Sequence, residues 1–254
     1  MVDPTRRFSS RVANYARYRP SYPAAVTDLL GSECGLTADS MIVDVGSGTG
    51  ILSELFLKNG NEVFGVEPNP EMRKTAEMLL KDYARFRSID GTAESTGLDS
   101  NSMDFVTAGQ AFHWFNAQRA RAEFSRILKA NGWAVLIWNE RRLAATPFLR
   151  AYEEFLLKHG TDYEQVRHER VTSGIAGFFA PAVFRMKSFE NGQQFNFESL
   201  SGRVFSASYT PEPGHPNYEP MVAELREIFA AHEKNGTVNI EYDVKIYYGR
   251  LNST

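Results

Sequence analysis

From Met41 to Trp138 the apolar positions switch repeatedly between the two-residue spacing of a strand and the three-to-four-residue spacing of a helix. Met41 to Val45 is a short apolar run that ends in glycines, Ile51 to Lys58 has helical spacing, and Glu62 to Val66 is a second strand closed by Pro68. Met72 to Tyr83 is rich in good helix formers, and Arg85 to Ile89 and Met103 to Ala108 are the third and fourth strands. A helix from about Ala117 to Leu128 stops at Asn131-Gly132, and Trp133 to Trp138 follows as the fifth strand. Strands alternating with helices predict a parallel sheet covered on both faces, a three-layer doubly wound α/β fold.

Flanking this core, Pro23 to Leu30 has the composition of a helix and residues 141–180 are mostly helical in pattern. Val183 to Phe197 predicts strand structure with a turn at Asn191-Gly192. Pro211, Pro213 and Pro216 crowd one loop, Pro220 to Lys234 predicts a helix, and Val238 to Tyr248 alternates as a closing strand. No repeat or linker divides the sequence, so residues 1–254 are expected to form one domain. Within it, residues 38–140 are the core and 183–197 and 238–248 the strands that return to complete the sheet. Residues 1–37, 141–182 and 198–236 are left as lid and helical cap.

Composition narrows the function classes. With 254 residues, a formal net charge of -3, 43% hydrophobic residues and one cysteine, the chain has the make-up of an ordinary globular protein. Cys34 alone excludes an intramolecular disulfide and any multi-cysteine metal site. His159, His168, His215 and His232 show no metal-ligand spacing, so no metal is expected. The longest wholly apolar run, Trp133 to Trp138, is far below the roughly 18 residues of a membrane span. No apolar stretch follows the early arginines, which makes the cytoplasm the expected compartment. The slightly acidic balance argues against nucleic acid as the main partner, because neutralising phosphates takes a basic face.

The chemistry concentrates in Asp44-Val45-Gly46-Ser47-Gly48-Thr49-Gly50, between the first strand and the first helix of the core. Glycines there permit a tight turn and let a ligand approach bare backbone, while the following helix offers unpaired N–H groups to an anion. Glu67, at the end of the second strand, places a carboxylate beside the same crevice, where it can accept hydrogen bonds from two ribose hydroxyls. The dinucleotide fingerprint would need a small residue at position 51, where this chain has Ile51. That argues against a nicotinamide-dependent oxidoreductase.

The pattern Asp-x-Gly-x-Gly-x-Gly resembles the first motif of the class I S-adenosylmethionine (SAM) dependent methyltransferases. The resemblance continues in order over residues 41–139. Gly65 to Met72 is similar to the second motif, in which Glu67 would bind the ribose and Pro68 and Met72 would border the same site. Gly91-Thr92-Ala93-Glu94 resembles the loop that packs on adenine, with Thr92 where many relatives have aspartate and the Ala93 N–H available. Gln110 to Phe115 resembles a subgroup of small-molecule enzymes that includes trans-aconitate methyltransferase-like proteins. The run around Tyr15, Tyr18 and Arg19 is similar to an N-terminal lid, where tyrosine ring faces would meet the sulfonium and Arg19 its carboxylate. The resemblance thus implies a Rossmann-like methyltransferase fold with a mostly parallel seven-stranded sheet and an antiparallel last strand. Asp44, Gly46, Ser47, Gly48, Thr49, Gly50 and Gln110 would also contact the cofactor, and S-adenosylhomocysteine would be the product.

The implied reaction is methyl transfer to an O, N or carboxylate nucleophile of a small molecule. His113 follows the fourth strand and is either a general base or, with Trp114, Phe115 and Tyr15, part of an aromatic wall around the acceptor. In-line transfer from a sulfonium depends on positioning more than on proton transfer. Two other readings stay open: a SAM-binding regulatory or partner-binding module without catalysis, and an RNA or protein methyltransferase. Adenine amino methylation is disfavoured by Gly109-Gln110-Ala111-Phe112 in place of an Asn/Asp-Pro-Pro-Tyr/Phe motif, and cytosine methylation by the position of Cys34.

Overall fold

A computed structural model describes residues 12–161, 163 and 172–251. The part of the lid before residue 12, and His168, lie outside these described residues. The chain enters through α1 (Val12–Tyr18) and α2 (Ala25–Cys34), then alternates through β1 (Met41–Val45), α3 (Ile51–Lys58), β2 (Glu62–Val66), α4 (Pro70–Leu79) and β3 (Phe86–Ile89). Next come β4 (Met103–Gly109), α5 (Ala117–Ile127) and β5 (Leu128–Arg141). The later elements are α6 (Pro147–His159), α7 (Thr172–Phe179), β6 (Phe184–Phe195), α8 (Phe197–Phe205), α9 (Tyr218–His232) and β7 (Val238–Gly249).

The seven strands form one sheet in the order β3-β2-β1-β4-β5-β7-β6. Strands β1 to β5 pair in parallel, whereas β7 runs antiparallel between β5 and β6. This is the mostly parallel sheet with an antiparallel last strand that the resemblance implied. Ile42 and Val63 of the sheet pack with Val26, Leu30, Leu52 and Phe56 from α2 and α3 on one face. On the other face Val43, Val106 and Leu136 pack with Phe124 and Ile127 of α5 and with Phe178 and Phe179 of α7. Helix α7, in the segment that the sequence assigned to the cap, packs into this main core. The cap has its own core, in which Tyr152 and Phe155 of α6, Leu200 of α8 and Leu225 of α9 meet Ile240 and Tyr242 of β7.

The turn expected at Asn191-Gly192 is absent, because β6 runs straight through it. Asn191 pairs with Tyr242 and Gly192 with Glu241, within a register that extends from Phe184 to Phe195. A complete ladder to a neighbouring strand outweighs the local turn preference. Likewise α5 ends at Ile127 and β5 begins at once, carrying the strand through Asn131-Gly132. The side chain of Asn191 instead donates to the Ser21 carbonyl at 2.8 Å and to Asn139 Oδ1 at 2.9 Å, tying the segment after α1 to the sheet.

The loop after β3 is held by Glu123 of α5, which accepts the Thr96 N–H at 2.8 Å and the Thr96 hydroxyl at 2.6 Å and is paired with Arg126. The Arg126 guanidinium, then Thr96, hold its carboxyl down to about 2, against an ordinary value of 4.5. A depressed folded value means that this stabilisation is present above pH 4.5 and is lost as pH falls toward 2. Glu123→Gln is expected to cost about 2 kcal/mol at pH 7, or about 4 to 8 °C in Tm. Thermal unfolding of the two proteins from pH 7 down to pH 3 checks this: the gap must narrow below pH 4.5.

Candidate functional site

The parallel strands β1 to β4 all end at one edge, and the loops that follow them surround a cavity of about 280 Å³ beneath the cap. Ligands bind at this edge of doubly wound sheets because the loops there diverge and leave a crevice. The Gly46 and Ser47 N–H groups donate to the Val66 carbonyl at 2.8 and 3.2 Å, which pulls the loop after β1 onto β2. Gly46 has φ +68°, and a Cβ there would sit 2.6 Å from the Ala111 Cβ. Gly48, with φ +57°, faces open space and presents bare backbone to the cavity.

Glu67 is fixed from both sides. Its Oε2 accepts the Gly48 N–H at 3.0 Å and its Oε1 the Asn69 N–H at 2.9 Å. Burial raises its carboxyl above the ordinary value, and these two donors partly offset that. Asn69 in turn caps α4, accepting from the N–H groups of Glu71 and Met72 at 2.9 and 3.1 Å ahead of Pro70 in the first turn. Opposite, Ala93 is buried, and Glu94 Oε1 accepts the Asn116 N–H at 2.7 Å.

Beyond Gly48 a smaller space of about 40 Å³ runs toward Asp44, Tyr22 and Asn139. Asp44 is fully buried: its Oδ2 accepts the Ser53 hydroxyl at 2.7 Å, while its Oδ1 has no partner. Burial pushes this carboxyl up to about 7, with the Ser53 hydrogen bonds only partly opposing it. Thr49 Oγ1 and Gln110 Oε1 are also buried without partners. Gln110 has φ +54°, an uncommon conformation for a side-chain-bearing residue that a functional position can hold under strain. An unsatisfied buried carboxylate oxygen costs stability unless a donor meets it. The set asks for a cationic or strongly donating group at this end.

Arg19 borders both spaces. One of its nitrogens donates to the Ser206 carbonyl at 3.2 Å and its guanidinium lies 4.8 Å from the Tyr15 ring centroid. Along the remaining wall His113 is exposed with its ring 4.7 Å from that of Trp114, while Phe112 is buried and meets Phe115 edge-on at 6.0 Å.

The predicted site residues border one space or the other, apart from Tyr18 and Gly50. Tyr18 is buried with its ring over Gly202 of α8 and fastens α1 to the cap. Gly50 donates to the Ser47 carbonyl at 2.9 Å and shapes the turn. Tyr22 of the lid run, whose hydroxyl lies against Gly109, and Tyr209 of the cap also border these spaces, as do Asn69, Asn139 and Ser208, which sequence reasoning missed. The Asn-Pro pair ahead of α4 was a readable cap signal for Asn69. The others arrive from distant segments and carry no local signal. Among the described residues no group of His, Cys, Asp and Glu could hold a metal ion, and no helix is long and apolar enough to cross a membrane.

Residues 43–136 match the family described as methyltransferase domain. An uncharacterized methyltransferase of Schizosaccharomyces pombe is 34% identical over 225 residues, covering 88% of this chain and 87% of that protein. An uncharacterized methyltransferase of Mycobacterium tuberculosis is 37% identical over 139 residues, and that match reaches over 55% of this chain and only 54% of the mycobacterial protein. A solved structure from Anaeromyxobacter dehalogenans, described as that of a type II methyltransferase, superposes with a TM-score of 0.69 at 19% identity. It covers 92% of this chain and 98% of its own.

Proposed function

The chain belongs to the SAM-dependent methyltransferase family, and from that premise we propose that it transfers a methyl group to an O, N or carboxylate nucleophile of a small molecule. The observation that carries the reading is the unpartnered Oδ1 of buried Asp44, which borders a small space that shares Gly48 with the cavity beside the Glu67 carboxylate. A nucleoside joined to an amino acid has complementary groups in that order.

These residues fit the cofactor. Glu67 would accept the ribose hydroxyls, the bare Gly48 backbone would let the ribose and its substituent pass, and Met72 and Ala93 would flank the base. Asp44 and Gln110 would accept from the ammonium, and Arg19 would donate to the carboxylate. When bound, SAM supplies a sulfonium whose methyl group is electrophilic. What the protein adds is position and the exclusion of water. Tyr15, Trp114, Phe115 and Tyr209 supply an aromatic wall on the side where an acceptor would enter. Such a wall, under a cap and on a chain of net charge -3, favours a small molecule over a nucleic acid.

Asp44 makes the reading testable by pH. Its folded value of about 7 lies above the ordinary 3.8, so the folded protein keeps a proton that the unfolded chain gives up, and stability drains as pH rises between the two. An ammonium beside Asp44 favours its carboxylate, so binding expels that proton below pH 7. Calorimetry of S-adenosylhomocysteine at pH 6, in two buffers of different ionisation heat, is expected to show close to one proton released. Asp44→Asn is expected to release none, and binding that proceeds without proton release in wild type would count against the assignment.

A further inference from the structure

Helix α8 presents two faces. Leu200 and Val204 are buried in the cap core, and Gly202 lies about 200° around the helix from each, against α1. A Cβ on Gly202 would lie 2.0 to 2.6 Å from three ring carbons of Tyr18, so only glycine admits the ring at this separation. Glycine weakens a helix interior, and what it provides here is the seat of a buried tyrosine.

The seat lies between two binding surfaces. Arg19, next in sequence to Tyr18, borders both the cavity and the smaller space. Its guanidinium donates to the carbonyl of Ser206, the residue that follows α8, at 3.2 Å. Ser206 is fully buried, and its hydroxyl donates to the Arg203 carbonyl at 2.7 Å, which fixes the turn at the helix end. Just beyond that turn Ser208 and Tyr209 border the cavity on the acceptor's side. Tyr18 itself borders neither space, and among the described residues no member of α8 does.

We propose that Tyr18 is a positioning residue that joins the lid to the cap, so that a cofactor held by Arg19 also sets Ser208 and Tyr209 around the acceptor. The cofactor's carboxylate can take donors from Arg19 without breaking the bond to Ser206, because a guanidinium carries five N–H groups in a fork. Arg19 held from the cofactor's side fixes the residue before it, Tyr18 rests against Gly202, and the end of α8 stays in place with the loop that carries Tyr209. Without the seat, α1 and α8 respond to the cofactor independently. Acceptor and cofactor favour the same seated arrangement, so each raises the other's affinity by the same factor.

This inference rests on the methyltransferase reading, through the place given to Arg19, and the experiment separates the two. Hydrogen–deuterium exchange of the full chain is followed with and without saturating S-adenosylhomocysteine, whose binding is measured in parallel by calorimetry. In wild type the ligand is expected to slow exchange at least fivefold in α8 and residues 206–209. Tyr18→Phe keeps the ring and is expected to keep that response. Tyr18→Ala and Gly202→Ala remove the seat from its two sides, the second by a Cβ that evicts the ring while favouring the helix. Both are expected to bind about tenfold more weakly and, at saturation, to show slowed exchange in the loops after β1 and β2 but none in α8. If wild type fails to bind S-adenosylhomocysteine, the cofactor reading falls and the coupling with it. If it binds and α8 exchanges as fast as before, the coupling alone is overturned. An α8 response that survives in Gly202→Ala makes Tyr18 merely structural and overturns it too, even where Tyr18→Ala is unstable.

Discussion

Gly46→Ala is expected to abolish measurable S-adenosylhomocysteine binding while leaving the sheet folded. The added Cβ has two consequences at once. It puts a side chain on a residue at φ +68°, a conformation costing about 1 to 3 kcal/mol away from glycine. It also meets the Ala111 Cβ at 2.6 Å, an atom with no side-chain rotation to escape by. Either the loop after β1 or the turn after β4 must move, and both border the cavity. A displacement that breaks the 2.8 Å bond from the Gly46 N–H to Val66 also releases Gly48 from Glu67. The summed loss is at least about 3 kcal/mol, a hundredfold or more in Kd. Calorimetry beside circular dichroism reads the two effects separately, and near-native affinity in a folded variant would contradict the placement of the loop.

A comparable loss is expected for Glu67→Ala. The carboxylate is half of a two-sided device, receiving backbone donors from Gly48 and Asn69 and retaining lone pairs for a diol. Each charge-assisted hydrogen bond contributes about 1.5 to 3 kcal/mol, so deletion costs at least about a hundredfold in affinity. Glu67→Gln keeps one acceptor oxygen and is expected to fall between. In a thermal-shift titration, saturating S-adenosylhomocysteine should raise Tm for wild type and leave the alanine variant nearly unmoved. An equal shift in both would remove Glu67 from the site.

The two predictions draw on the part of the molecule most legible in the sequence. β1, α3 and β2 fall on the spans predicted for them because each boundary carries its own chemistry: glycines after Val45, and proline after Glu67. The cap was legible only as helical content. Helix α8 passed unnamed, and the Asn191-Gly192 pair was misread, because β6 owes its straightness to a partner strand some fifty residues later. Within the site, glycines and acids announce themselves through loop geometry and charge. Asn139 and Ser208 do not, since what distinguishes them is the company they keep in three dimensions.

The position of β7 bears on the order in which the molecule can assemble. It is the final strand in sequence, yet it lies inside the sheet, paired along its length with β6 and over Ala134–Arg141 with β5. As the chain leaves the ribosome, the β1–β5 half can form while β6 has no hydrogen-bonding neighbour. Tyr242, which closes the cap core, arrives on that same strand. Sheet closure and cap packing are therefore established in one late event, dominated by contacts between residues far apart in sequence. Until then the nascent protein exposes two open strand edges, the state in which it is most vulnerable to pairing with another chain.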